Sequence, residues 1–200
     1  IADPDLTMEL KSIRERHGEI EDRFYRELEF GTGGLRGIIG AGTNRINVYV
    51  VARASQGYSN YLKQNFKEPV VAIAYDSRIK SQLFAETAAS VFAANGIKTY
   101  IFQKLMPTPT LSFAVRRLYC NGGIVITASH NPAQYNGYKV YGPDGCQITT
   151  AAAAAILTYI KQVDVFNDVR SILFYDGLNK SLIEYIADTV VEDYIKTVSN

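Results

Sequence analysis

The most constraining feature of this 200-residue chain is a regular alternation of short apolar runs with longer stretches of helical character. Three runs have the composition of buried strands: Val70–Asp76, Ile97–Phe102 and Gly123–Ala128. Between them, Ser81–Asn95 and Thr110–Leu118 are predicted helices. Strands that alternate with helices of this length pack as a three-layer α/β/α domain, and we expect a mostly parallel or mixed sheet.

Further predicted elements extend this pattern toward both ends of the chain. The stretch from Asp5 to Glu29 has apolar residues at helical spacing among many charges, which predicts one or two amphipathic helices broken near Gly18. We therefore divide the chain into an N-terminal helical arm, residues 1–30, and an α/β domain, residues 31–200. The other predicted elements are a helix over Val48–Phe66, a fourth strand over Tyr138–Gly142, a helix over Ala151–Val163 and a last helix over Ser181–Val198.

The charge balance argues against partners that are bound through a strong global field. The sequence has twenty-one Lys and Arg residues and twenty Asp and Glu residues, so its net charge is +1. We therefore expect no nucleic acid partner. No apolar stretch approaches the roughly 20 residues of a bilayer span, and the first residues are charged, so we expect no membrane segment. These features predict a soluble, cytoplasmic protein. The chain starts without Met, which suggests a fragment.

Thiolate and imidazole ligands for a metal are few. Cys120 and Cys146 form no C-x-x-C motif, so a disulfide framework and a thiolate zinc site both lack ligands. His17 and His130 are the only histidines of the sequence. Any metal site would therefore use oxygen ligands, which favours magnesium or calcium over zinc.

A glycine-rich segment over Phe30–Arg45, FGTGGLRGIIGAGTNR, has six glycines in sixteen residues, which predicts a loop with short extended pieces. It does not match the dinucleotide motif G-x-G-x-x-G, because Arg36 stands where the last glycine is required, and the chain has no P-loop. Its backbone N–H groups and Arg36 could bind an anion such as phosphate. The alternative is that the glycines form tight turns and Arg36 is a surface residue.

The hexapeptide TASHNP, over Thr127–Pro132, follows the third predicted strand, at the sheet edge where open α/β folds bind ligands. Ser129 is its natural nucleophile. A serine-hydrolase triad is not supported, because His130 directly follows Ser129 and no G-x-S-x-G elbow surrounds the serine. The alternative is an Asn-Pro turn whose polar side chains cap backbone groups.

Two long motifs carry a family resemblance. TASHNPAQYNGYKVYGPDG, residues 127–145, resembles the phosphoserine loop of the α-D-phosphohexomutases, the superfamily of phosphoglucomutases and phosphomannomutases. FGTGGLRGIIGAGTNRIN, residues 30–47, resembles the N-terminal signature of the phosphoglucomutase and phosphopentomutase branch, and AYDSR lies between the two motifs. The resemblance covers essentially the whole chain and implies the first of four family domains, with domains II to IV absent from this chain.

The resemblance implies an isomerase that interconverts hexose 1-phosphate and hexose 6-phosphate through a phosphoserine and a 1,6-bisphosphate. It also implies Mg²⁺, and this chain lacks the D-G-D-x-D-R segment that holds the metal in the second domain of the family. Glucose 1,6-bisphosphate is the implied intermediate or activator, and the implied partners are a hexose phosphate and the missing domains. An isolated fragment is expected to be inactive. A non-catalytic lobe that binds sugar phosphate is the alternative function.

The resemblance also implies roles for individual residues. Ser129 carries the phosphoryl group and is a metal ligand through that phosphate, while Arg36 contacts the phosphate. Lys139 moves the proton of the substrate hydroxyl or binds the bisphosphate, and His130 lies near the phosphate. The implied catalytic residues are thus Ser129, His130 and Lys139, and the implied substrate-binding residues are Arg36, Ser129 and Lys139.

Four further polar residues are expected to shape the loops around this site. Asp76 and Arg78, at the end of the first predicted strand, are expected to form a structural ion pair that braces the loops. Asn131 and Asn136 are expected to shape turns.

Overall fold

The computed structural model describes residues 3–31 and 33–199. Thr32 of the glycine-rich segment, Ile1 and Ala2 of the predicted arm, and Asn200 lie outside the described residues. The strands are β1 (Phe30–Gly31), β2 (Gly34–Ile38), β3 (Val70–Tyr75), β4 (Lys98–Ile101), β5 (Gly122–Ile126), β6 (Tyr135–Tyr141) and β7 (Ile183–Tyr185). The helices are α1 (Pro4–Ser12), α2 (His17–Phe24), α3 (Val48–Asn65), α4 (Ser81–Ala94), α5 (Thr108–Arg117), α6 (Thr150–Lys161), α7 (Phe174–Asn179) and α8 (Asp188–Val198).

The strands form one mixed sheet with the order β1-β2-β6-β5-β3-β4-β7. Strands β5, β3, β4 and β7 are parallel, so their carboxyl ends meet at the same edge. Strand β6 runs antiparallel to both of its neighbours, β5 and β2. The arrangement confirms the predicted mixed sheet.

Alternation along β3 explains why helices cover both faces of this sheet. Val71, Ile73 and Tyr75 pack into a core with α3, α4 and α6, whereas Ala72 and Ala74 face a second core with α5 and α8. All five side chains are buried, as expected for a central strand of a three-layer fold. The predicted α/β/α architecture is therefore confirmed. Among the described residues, no helix combines the length and apolar composition that crossing a bilayer requires.

The prediction for the C-terminal end of the chain was wrong. The segment predicted as one helix over Ser181–Val198 contains β7 and, after it, α8. Strand β7 forms because Ile183 is buried and pairs in parallel with Thr99 of β4, so tertiary pairing overrides the local helical pattern. Near the N-terminus, two helices are present as predicted, and the break between them, over residues 13–16, lies close to Gly18 in the first turn of α2.

The N-terminal helices pack onto the α/β domain. Leu6 of α1 is buried in the main core. Glu9, also on α1, bridges α2 and the loop after β2. Its carboxylate accepts a hydrogen bond from Arg23 Nη1 at 2.6 Å and another from the backbone N–H of Ala41 at 2.7 Å. The division of the chain into an N-terminal helical arm, residues 1–30, and a domain, residues 31–200, stays a prediction.

A second connection joins the start of α1 to the loop between β3 and α4. Lys80 Nζ lies 2.5 Å from Asp3 Oδ2 and 3.0 Å from Asp5 Oδ2. Lys80 has a left-handed backbone, with φ of 61°, at the N-cap of α4. The two aspartates therefore bind the side chain of a residue whose backbone conformation is unfavourable for any residue other than glycine.

We predict that Gly137→Ala destabilises the domain. A Cβ atom at residue 137 would lie 2.5 Å from the carbonyl oxygen of Thr127 and 2.9 Å from that of Leu35, and neither backbone has room to move within the sheet. We expect the free energy of unfolding to fall by about 1–3 kcal/mol, the usual effect of overpacking.

Urea unfolding monitored by circular dichroism would measure this loss. The matched control is Gly18→Ala, because a Cβ atom at this exposed helical position meets nothing within 4 Å. That substitution should raise stability by about 0.5–1 kcal/mol, through higher helix propensity. Equal stability of Gly137→Ala and the unmodified domain would contradict the close approach described for β6.

Candidate active site

Three of the residues singled out from the sequence lie close together near the carboxyl end of β5. Ser129 follows the carboxyl end of β5, Lys139 lies on β6, and Arg36 lies on β2. Lys139 pairs with Gly34 of β2, and Arg36 is two residues further along that strand. Because side chains alternate along a strand, Arg36 and Lys139 lie on the same face of the sheet.

The closest contact within this group joins Lys139 and Ser129. Lys139 Nζ donates a hydrogen bond to Ser129 Oγ over 2.5 Å. Ser129 is exposed and Lys139 is half-buried. Burial and then the positive charge of Arg36 lower the pKa of Lys139 below the ordinary lysine value, and the charge of Asp76 offsets part of this shift. The amine can therefore release a proton more readily than a fully solvated lysine.

Arg36 is attached to the loop that carries Ser129. Its Nη1 donates to the side-chain oxygen of Asn131 over 3.1 Å, and the residue is otherwise exposed. A guanidinium has five N–H donors, so several remain for an anion at Ser129. Arg36 and Lys139 thus place two positive charges beside one serine hydroxyl.

His130 is adjacent to this group but is not joined to it. The residue is exposed, and the hydrogen bonds given above for the loop do not involve its imidazole. Its catalytic role stays a prediction.

Ser129 has an uncommon backbone conformation, with φ of 55°. Its N–H donates to Thr127 Oγ1 over 2.9 Å, and Thr127 Oγ1 donates to Asp76 Oδ2 over 2.6 Å. The predicted ion pair between Asp76 and Arg78 is present, with Nε and Oδ2 3.4 Å apart. The loop is therefore held by the half-buried Asp76, which follows β3, and by the buried Thr127, which follows β5.

Asn136 does not shape a turn, contrary to the sequence-based prediction. It is buried within β6, where Nδ2 donates to the carbonyl of Ile79 over 3.0 Å and to Ser81 Oγ over 2.9 Å. Strand β6 starts at Tyr135 because it pairs with β2 from that residue onward. Sheet pairing on this side thus overrides the turn preference of asparagine.

A polar cavity of about 450 Å³ opens beside Lys139 and Arg36. Three polar residues that line it were not singled out from the sequence, and they come from separate loops of the chain. These residues are Arg26, Asn44 and Gln147. A second hollow, of about 390 Å³, is lined in part by Ser129, Asp76 and Arg78.

The described residues do not form a complete metal site. No group of three or more His, Cys, Asp and Glu side chains within residues 3–31 and 33–199 could hold a metal ion. A serine hydroxyl is a poor ligand for Mg²⁺, whereas a phosphate on Ser129 would supply the hard oxygen atoms that this ion prefers. The residues present thus fit one ligand of a magnesium site, through a phosphorylated Ser129.

The chain is similar to known proteins in both sequence and fold. The family model described as phosphoglucomutase/phosphomannomutase, alpha/beta/alpha domain I, matches residues 27–166. A phosphoglucomutase of Staphylococcus epidermidis is 42% identical over 175 residues, which are 86% of this chain and 32% of that protein. A phosphoglucomutase of Staphylococcus aureus is 38% identical over 193 residues, 96% of this chain and 35% of that protein. The chain spans about a third of the length of these curated relatives.

Solved structures share the fold. A crystal structure from Thermus thermophilus, described as a phosphomannomutase, has a TM-score of 0.68 at 28% identity and covers 82% of this chain and 34% of its own. A phosphoglucomutase/phosphomannomutase family protein from Burkholderia thailandensis has a TM-score of 0.63 at 21% identity, over 84% of this chain and 34% of its own.

The family match spans both sequence motifs and most of the described fold. It includes the strands that carry Arg36 and Lys139, and the loop that carries Ser129. The resemblance stated from the motifs is thereby confirmed. This chain belongs to the phosphoglucomutase/phosphomannomutase family and contains its alpha/beta/alpha domain I.

Proposed function

We propose that this chain is the phosphoserine-bearing first domain of a phosphoglucomutase-type isomerase, which interconverts hexose 1-phosphate and hexose 6-phosphate through a 1,6-bisphosphate. The observation that carries the proposal is the 2.5 Å contact between Lys139 Nζ and Ser129 Oγ, on a loop that Arg36 also contacts. An exposed hydroxyl beside two cations suits a group that carries a phosphoryl dianion.

In the proposed reaction, phosphorylated Ser129 transfers its phosphoryl group to a free hydroxyl of the hexose phosphate. The bond between phosphorus and Ser129 Oγ breaks while a bond between phosphorus and the sugar oxygen forms. Lys139 Nζ gives a proton to Ser129 Oγ, and the proton released by the sugar hydroxyl restores the ammonium group. The bisphosphate then reorients within the site. The reverse of this phosphoryl transfer moves its other phosphate back to Ser129.

Arg36 and Lys139 supply charge stabilisation in this scheme. Phosphoryl transfer depends mainly on positioning and on neutralising the oxygens of the moving group, and a planar guanidinium can contact two of those oxygens at once. The lowered pKa of Lys139 supports its role in moving a proton. His130, which directly follows Ser129 in the chain, is proposed as a further donor to the phosphate.

The family also supports dependence on Mg²⁺. When bound, this ion neutralises charge on the phosphoryl oxygens. In this chain a phosphorylated Ser129 would be its ligand, and we propose that the other ligands come from domains II to IV of the full-length protein. Those domains, a hexose phosphate and glucose 1,6-bisphosphate are the proposed partners.

Two further points concern the compartment and the alternative function. The unpaired thiols of Cys120 and Cys146 favour a reducing compartment such as the cytoplasm. The alternative of a non-catalytic sugar-phosphate-binding lobe is not favoured, because relatives at 38% and 42% identity are named as phosphoglucomutases.

We predict that Ser129→Ala removes both the covalent phosphate and the activity of the full-length protein. Without Oγ no phosphoserine can form, so mutase activity should fall at least about a thousandfold. Peptide mass spectrometry would locate the phosphate, and a coupled assay would measure the conversion of glucose 1-phosphate.

Ser77→Ala is the matched control, because Ser77 is also exposed and lines the hollow beside Ser129. This variant should keep both phosphate and activity. A fully active Ser129→Ala protein would rule out the proposed function.

We also predict that Lys139 loses its proton at a lower pH than an ordinary lysine when Ser129 is not phosphorylated. Burial and the charge of Arg36 both disfavour the ammonium form. Replacing Arg36 by Gln removes the like charge and should raise the pKa of Lys139, while Asp76→Asn should lower it further. NMR titration of isotope-labelled lysine side chains would measure these shifts. A pKa of Lys139 that does not respond to Arg36→Gln would contradict the described electrostatics.

A further inference from the structure

We propose that Arg78 is a positioning residue for the phosphoryl transfer. The inference rests on the proposed function of Ser129 and goes beyond it, because it assigns a role in the rate of the reaction to a residue that does not contact the transferred group. The two observations behind it are the hydrogen bonds of the Arg78 guanidinium and the conformation of the loop that it holds.

The guanidinium of Arg78 is bound entirely by the protein. Its Nε faces the carboxylate of Asp76, and its side chain is only 13% exposed, so little of it is left for a ligand. Its two Nη atoms donate to four backbone carbonyl groups of the loop, those of Ser129 (2.5 Å), Asn131 (2.8 Å), Pro132 (3.1 Å) and Tyr135 (3.1 Å). One side chain therefore fixes the whole turn from the proposed nucleophile to the start of β6.

Asp76 fixes the same loop through a directed pair of hydrogen bonds. Thr127 Oγ1 has one proton, which it donates to Asp76 Oδ2 over 2.6 Å. The hydroxyl oxygen is then left as an acceptor, and it accepts the N–H of Ser129 over 2.9 Å. Asp76 thus orients Thr127, and Thr127 orients Ser129.

These contacts hold Ser129 in a conformation that it would rarely adopt alone. With φ of 55° the residue lies in the left-handed region, which is sparsely populated by residues other than glycine and is kept only where the surroundings determine it. Arg78 binds the carbonyl side of Ser129 and Thr127 binds its N–H side. The result is that Oγ stays against Lys139 Nζ.

The contact with Arg78 also orients the next backbone N–H. In a trans peptide the carbonyl and the N–H point in opposite directions, and the described chain has no cis peptide bonds. Because the carbonyl of Ser129 points to Arg78, the N–H of His130 points away from it, and the backbone hydrogen bonds described for this loop do not use it. We assign this N–H as a donor to a phosphoryl oxygen on Ser129.

The test compares Arg78→Ala with Arg117→Ala in the phosphorylated full-length protein. Arg117 is a matched control, because it is also paired with an aspartate, Asp193 at 3.1 Å, but lies on α5 away from the loop. For Arg78→Ala we expect kcat to fall about a hundredfold, the effect of a misplaced reacting group, with KM within about threefold of the unmodified protein. Added guanidinium chloride should restore part of kcat in Arg78→Ala and none in Arg117→Ala, whose kcat should start unchanged.

The kcat and KM of these variants decide whether Arg78 has the proposed role. A folded Arg78→Ala protein with unchanged kcat overturns the proposal, and so does a loss of kcat with a parallel rise in KM that guanidinium does not reverse. If Arg78→Ala fails to fold, Arg78→Lys replaces it, since lysine keeps the charge beside Asp76 but not the fork of donors. Full activity of a folded Arg78→Lys overturns the proposal, and a reduced kcat with unchanged KM supports it.

The same experiment separates this inference from the proposed function. If Ser129→Ala is also fully active, the proposed function fails and Arg78 has no phosphoryl transfer to assist. If Ser129→Ala is inactive while Arg78→Ala keeps its full rate, only the positioning role fails.

Discussion

The site depends on one piece of sheet pairing, the insertion of β6 antiparallel between β5 and β2. The parallel strands alone would bring only the loops at their carboxyl ends to the edge of the sheet. Because β6 runs back along β5, it places Lys139 within hydrogen-bond distance of Ser129, only ten residues earlier in the chain. Pairing with β2 adds Arg36 on the same face. A register shift of one residue would turn Lys139 to the opposite face and separate the two groups.

The pairing also explains the electrostatics of a chain whose net charge is only +1. The charge of Arg78 is used within the protein, by Asp76 and by backbone carbonyls, so Arg36 and Lys139 are the cations that face Ser129. Without an anion between them they repel each other, and this repulsion contributes to the lowered pKa of Lys139. A phosphate dianion on the serine would remove it. The local arrangement, rather than a global field, thus favours a charged phosphoryl group.

Periodicity predicted the central elements well, since α3, β3, α4, β4 and β5 match their predicted positions closely. The hydrophobic patterns of β3 and β5 are strong because both faces of these strands are buried. Periodicity failed for β7, and the turn preference of asparagine failed for Asn136, because pairing with a distant strand decides both conformations. The motifs led to Arg36, Ser129 and Lys139, which the fold brings together. They could not indicate the four carbonyl groups that Arg78 binds, because these lie more than fifty residues further along the chain.

Inserting β6 late in the sequence has a consequence for biosynthesis. Strands β2, β3, β4 and β5 are all translated before β6. Arg36 cannot contact its partner Asn131 until 95 further residues have been added to the chain. Until Tyr141 has been translated, β2 and β5 each lack the partner that β6 provides, and unpaired strand edges of this kind promote aggregation. The strand that brings Lys139 to Ser129 is thus also the one that joins the two parts of the sheet, so the candidate site and the continuous sheet form in the same step.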